Sequence, residues 1–260
     1  MTKSLRLIDT FRLAMGHLWA ERKIIGGLLA VVVSFDVALE WLQPALADEN
    51  ENTGWFVFVF TLQALVYTWF AVRVHRLILG VANPVQGMVR WKTRETRFFA
   101  WLTAGVMFLL IVGAVLVFTL LRAVAVVVHG DDLDDRVIAV VLALALLPAA
   151  YLLARFAVLL PAIAIDQKRN IAWAWALTKG NGWRLMLILW GLPTILVSAL
   201  AVSAFAALSL EAWFNSLFGS LVLNGVFGIA TAIEVALLSV AFKTLAGAVW
   251  VQPVGLVEQA

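Results

Sequence analysis

Six ionisable side chains stand inside long apolar runs: Asp36, Glu40, Arg122, Arg155, Glu234 and Lys243. A charge in hydrocarbon costs at least about 2.5–3.5 kcal/mol on insertion scales, so each needs a partner, water or a task. Groups of this kind support ion pairing, ion or proton relay, or recognition of a polar ligand. Three are acidic and three basic, so internal pairing can neutralise them all. Spacing narrows the choice. Asp36, Glu40 and Gln43 recur at steps of four and three and share one stripe of a helix. Asn224, Thr231 and Glu234 recur at steps of seven and three and form a second stripe. By helical rise, Glu40 and Glu234 lie roughly 24–26 Å from the inner ends of their helices. Lys243 falls on a small-residue face with Gly228, Ala232, Ala236, Ser239 and Gly247, which suits close helix packing.

Two arrangements follow. In one, Arg122 and Arg155 pair with Asp36, Glu40 and Glu234, while Lys243 reaches toward the inner headgroups. In the other, the two stripes face each other across a hydrated cavity that admits an ion or polar substrate. Pro148, Pro161 and the run Gly191-Leu192-Pro193 would open helices locally and free carbonyls for such a site.

Catalytic sets are missing. There is no Cys, and the three His (His17, His75, His129) all lie away from span centres. No H-E-x-x-H, G-x-S-x-G or phosphate-cradling glycine loop occurs. The expectation is a protein that is not an enzyme and uses no cofactor or metal. His129-Gly130-Asp131-Asp132-Leu133-Asp134-Asp135 offers oxygen ligands for a divalent cation. It lacks the spacing and terminal Glu of an EF-hand, and is read as a solvated acidic loop.

The elements that must position these groups are set by composition. Of 260 residues, 63% are hydrophobic and 13% charged, with mean hydropathy +0.98. A soluble domain carries about a quarter charged residues. A soluble enzyme, a disordered chain and a disulfide scaffold are therefore excluded. A helix crossing ~30 Å of hydrocarbon needs about 20 apolar residues. Six segments qualify: 24–46, 55–77, 98–128, 137–165, 185–208 and 220–251. The fold class is thus an all-α integral membrane protein with a six-helix domain over 24–251. A cytoplasmic amphipathic helix over 1–23 precedes it and a tail over 252–260 follows. Pro44–Asp48 has signal-peptidase spacing, but Asp36 and Glu40 precede it, and the first span is read as uncleaved.

Fifteen of the 19 Lys and Arg residues fall before the first span, at the end of the second (Arg73, Arg76) and in the segment after it, and after the fourth; the alternate loops are acidic. The positive-inside bias puts both termini in the cytoplasm. Trp91, Trp101, Trp173, Trp175, Trp183 and Trp250 then mark the inner interface, and Trp41, Trp55 and Trp213 the outer one. The net charge of +3 follows from this asymmetry, and no nucleic acid is implied. Leu5, Ile8, Phe11, Met15, Leu18 and Trp19 recur at helical steps and form a face for the inner interface, where basic residues meet anionic lipid headgroups. A second short helix is expected over Asn170–Lys179, stopped by Gly180. The basic, Trp-bearing connection Gly80–Arg97 is read as a headgroup contact.

Arg155, Pro161 and Asp166 close one span, and Ala174-Trp175-Ala176-Leu177-Thr178-Lys179-Gly180 leads into the next. With His75-Arg76-Leu77-Ile78-Leu79-Gly80 and Glu95-Thr96-Arg97-Phe98, these segments resemble bacterial six-helix inner-membrane proteins. That group is similar to the membrane domain of glycerophosphoryl diester phosphodiesterases and includes the YciC-like proteins. The resemblance implies topology, a bacterial inner-membrane location, and a shared structural element at Arg155, Pro161, Asp166 and Gly180. It carries over no catalytic residue, and no phosphodiesterase domain is present, so headgroup hydrolysis is not expected. The leading expectation is a scaffold or accessory subunit of a membrane assembly or membrane-homeostasis system, with lipids and membrane proteins as partners. The alternative is a small transporter or channel for an ion, polar solute or lipid that uses the buried acids.

Overall fold

The computed structural model describes residues 4–46, 52–81, 91–128, 135–191, 195 and 217–247. Among them all regular structure is helical. The order is α1 (Leu7–Ala20), α2 (Arg22–Leu46), α3 (Asn52–Leu79), α4 (Thr93–Val128), α5 (Asp135–Ala157), α6 (Leu159–Ala164), α7 (Ile171–Leu177), α8 (Gly182–Met186), a π-helical turn (Leu187–Gly191), and α9 (Leu217–Ala246). Five stretches are long and apolar enough to cross a membrane: Arg22–Leu42, Gly54–Leu79, Thr93–Ala123, Leu146–Ala164 and Leu217–Ala246. Most of the expected span 185–208, the acidic loop up to Asp134 and the tail 252–260 lie outside the described residues.

The expected span 137–165 is one run of hydropathy but two helices. Proline lacks an N–H, and its ring collides with the carbonyl four residues earlier. For Pro161 that residue is Ala157, where α5 ends; α6 restarts at Leu159. Asn170 caps α7 by accepting the Trp173 N–H at 2.9 Å. Gly180 ends the segment at φ +78, a left-handed conformation natural to glycine.

The last helix is the hub. α1, α2 and α3 all pack on α9, while α4 pairs with α5 and α3 joins the two groups. From Val235 to Phe242 every residue of α9 is buried. The small-residue face does what its composition predicts: a Cβ on Gly228 would meet Leu29 Cδ2 at 3.1 Å and Val33 Cγ2 at 3.5 Å on α2. Apolar side chains such as Leu110, Ile111, Val115 and Phe118 of α4 face outward, as a lipid-facing helix requires.

The amphipathic N-terminal helix forms, but it docks by a different edge. Thr10 and Ala14, one turn apart, are buried as α1 packs on α9. The Leu5 N–H donates to Asn181 Oδ1 at 2.9 Å, tying the chain start to the α7–α8 turn. Ile8, Phe11, Leu13 and Trp19 remain exposed, which leaves an apolar surface for the interface.

Candidate functional site

Each predicted polar residue except Gln43 has a described place. Asp36 is buried on α2 and accepts from Tyr67 Oη of α3 at 2.8 Å and from Gln63 Nε2 at 3.4 Å. Glu40, one turn along, accepts from Ser220 Oγ at 2.9 Å and Asn224 Nδ2 at 3.2 Å, clamping α2 to the start of α9. The side chain of Gln43 lies outside the described residues. Among the described side chains the two stripes meet through Glu40 and Asn224. Thr231 donates to the Phe227 carbonyl of its own helix at 3.0 Å.

The basic residues are elsewhere. Arg122 is exposed on α4, with its guanidinium 5.2 Å from the Phe118 ring centre. It lies 29 residues past Thr93, about 44 Å along the axis and near the far end of α4. Arg155 is buried at the end of α5, where Nε donates to Thr178 Oγ1 at 2.9 Å and Nη2 to the Trp175 carbonyl at 2.6 Å. Its guanidinium lies 3.4 Å from the Trp175 ring centre. Neither arginine has a carboxylate within ion-pair distance among the described residues. The expected pairing of Arg122 and Arg155 with Asp36, Glu40 and Glu234 does not form among the described residues; Asp36, Glu40 and Arg155 bond to neutral groups instead. Lys243 is exposed near the end of α9.

At that same end, the segments singled out for their resemblance converge. Asp166, in left-handed backbone at φ +63, faces Arg76 Nη1 at 3.5 Å, Arg94 Nη1 at 3.1 Å and Arg97 Nη2 at 3.8 Å. Asp tolerates that conformation better than most residues. Glu95 is almost wholly buried; it accepts the Lys92 N–H at 3.0 Å and Arg94 Nε at 3.1 Å, with Arg73 Nη1 at 4.0 Å. Arg76 also donates to the Ala164 carbonyl at 3.1 Å. This cluster ties the ends of α3, α4 and α6 together at the basic end of the bundle.

Directly above it opens a cavity of ≈ 570 Å³. Tyr67, Ala71 and His75 line it from α3, and Phe98 and Trp101 from α4. Thr231, Glu234 and Leu238 line it from α9, where spacings of three and four put them on one face. The remaining walls are mainly Leu, Ala and Phe of α4–α6. Glu234 is 12 residues from Ala246, about 18 Å, because α9 ends five residues earlier than its hydropathy suggests. The carboxyl thus lies closer to the Ala246 end of its helix than the span 220–251 places it. Among the described residues it has no hydrogen-bond or ion-pair partner.

His75 forms the floor. Its Nδ1 lies 2.7 Å from Ser239 Oγ, and the Ser239 hydroxyl donates to the Val235 carbonyl at 2.7 Å. With that proton committed, Nδ1–H must be the donor to Ser239, which leaves the lone pair on Nε2. Sequence spacing missed Tyr67, His75 and Ser239. His75 sits where a span was expected to end, and no regular spacing links it to residues 164 positions away. Among the described residues no three His, Asp or Glu gather to hold a metal.

Comparison with known protein families, curated proteins and solved structures finds no match to this chain.

Proposed function

We propose that this chain is a polytopic membrane protein that holds an amphiphile inside its helix bundle, as the binding step of a small transporter. The observation that carries the reading is the ≈ 570 Å³ apolar cavity with Glu234 on its wall. Protein interiors pack with few voids larger than a water molecule, and sites for drug-sized ligands occupy about 300–1,000 Å³. Such a space takes an alkyl chain or ring system, and a polar group on the same molecule meets the few polar side chains. By the positive-inside rule, the arginine cluster and both termini lie at the cytoplasmic face; the resemblance of the Arg155–Gly180 region to bacterial six-helix proteins supports an inner-membrane location.

The test is equilibrium dialysis of radiolabelled dodecanol against the protein in phosphatidylcholine nanodiscs, with empty nanodiscs subtracted. Saturable binding near one per chain is expected, weakened at least tenfold by Ala71→Phe, which fills the cavity. Partitioning indistinguishable from empty nanodiscs would overturn the reading. The scaffold or accessory-subunit reading draws on a different observation: Asp166 and Arg97 keep 52% and 38% of their side chains exposed, leaving a charged edge on which a partner protein can dock. A partner that purifies in stoichiometric amount and is released by Asp166→Lys would favour it.

A further inference from the structure

The polar atoms facing the cavity are biased in kind. The Tyr67 hydroxyl proton is committed to Asp36 and that of Thr231 to Phe227. Nε2 of His75 carries a lone pair because Nδ1 donates to Ser239. Glu234 adds two carboxyl oxygens. Apart from the indole N–H groups of Trp101 and Trp190, the polar side chains lining this space offer acceptors. A ligand that satisfies them must bring donors.

Charge points the same way. The Glu234 side chain has no cation beside it among the described residues. Lys243 lies nine residues further along α9, about 13.5 Å away and on the opposite side of the helix. The aromatic rings of Tyr67, Phe98 and Trp101 add faces that attract cations. An anionic head would meet Glu234 directly, and a neutral alcohol would leave most acceptors unmatched.

We infer that the ligand of this cavity is a cationic amphiphile, a primary alkylammonium whose head is held by the Glu234 carboxyl while its chain lies against the apolar walls, the lone pairs of His75 Nε2 and Tyr67 Oη adding acceptors elsewhere along the same cavity. This rests on the cavity being a binding site, as proposed above. These groups form a neutral-to-acidic lining beside an arginine cluster of opposite character: His75 adjoins Arg76 in the chain, and Tyr67 lies nine residues from it, about 13.5 Å along α3. The cavity therefore selects by charge as well as by apolarity.

Dodecylammonium, dodecanol and dodecyl sulfate, each radiolabelled, are dialysed against wild-type protein and Glu234→Gln in phosphatidylcholine nanodiscs. Dodecylammonium is expected to bind at least tenfold more tightly than dodecanol, and dodecyl sulfate more weakly than either. In Glu234→Gln, with helicity by circular dichroism equal to wild type, the advantage of the ammonium over dodecanol disappears. Saturable dodecanol binding with no preference for the ammonium overturns this inference and leaves the cavity reading standing. A preference that survives Glu234→Gln overturns it as well, since it would arise at another charge. Absence of saturable binding by all three overturns both.

Discussion

His75 Nδ1 and Ser239 Oγ are 2.7 Å apart in the buried seam between α3 and α9. The pair joins two helices 164 residues apart and fixes the imidazole that floors the cavity. Ser239→Ala leaves the Nδ1–H buried without an acceptor, which costs about 1–3 kcal/mol. Denaturant titration of helicity in detergent should show that loss. Replacing both partners, as His75→Phe with Ser239→Ala, should recover most of it, and ¹⁵N spectra of wild type should show the proton on Nδ1.

Arg155 fastens α7 to α5 through two hydrogen bonds and a stacked indole. A lysine is a point charge on a flexible stem and cannot reproduce that planar fork. Arg155→Lys is therefore expected to destabilise the protein by about 1–3 kcal/mol. Amide hydrogen exchange should accelerate over Ile171–Leu177 well before it does in α9.

Asp166 holds three arginines and is half exposed, so its contribution is screened by solvent. Asn accepts the same left-handed backbone, which makes Asp166→Asn a probe of charge alone. The expected loss is about 1 kcal/mol at low salt. It should vanish at 1 M NaCl, where the screening length is about 3 Å. A loss independent of salt would mean that packing, not charge, holds this turn.

Gly182 has no room for a side chain: a Cβ there would meet the Tyr151 ring and hydroxyl at 2.6–2.7 Å. Tyr151 is itself packed on Trp183, with ring centres 5.1 Å apart. Gly182→Ala is expected to cost about 1–3 kcal/mol by overpacking. In a Tyr151→Leu background the same change should cost much less, and thermal melts of the four proteins give the coupling.

What the sequence made legible is what one helix decides by itself. Runs of hydropathy located five long helices among the described residues, Asn170 and Gly180 bounded α7, and Gly228 marked a face for close packing without naming α2 as its partner. Partner choice was not legible, because it depends on depth and on neighbouring helices. Pro161 ends α5 at Ala157, which puts Arg155 level with α7 and far from Asp36. Tyr67 and Gln63 reach Asp36 only because α3 lies alongside α2, and nothing in their spacing announces an acceptor. The cavity was hardest of all, since it is space left between α3, α4, α6 and α9 and belongs to no segment. The docking edge of α1 was missed for a related reason: Thr10 and Ala14 are small, and burial by close approach leaves no apolar stripe.

Glu234 is the group on which the cavity's proposed role turns, and carboxyl labelling reports on it directly. Dicyclohexylcarbodiimide is apolar and carboxyl-specific, and its adducts are mapped by mass spectrometry of the protein in nanodiscs. Modification is expected at Glu234, with Asp36 and Glu40 spared by their hydrogen bonds, and saturating dodecanol should suppress it. An unreactive Glu234 beside a labelled Glu40, or labelling indifferent to dodecanol, would contradict a ligand-accessible cavity at this carboxyl.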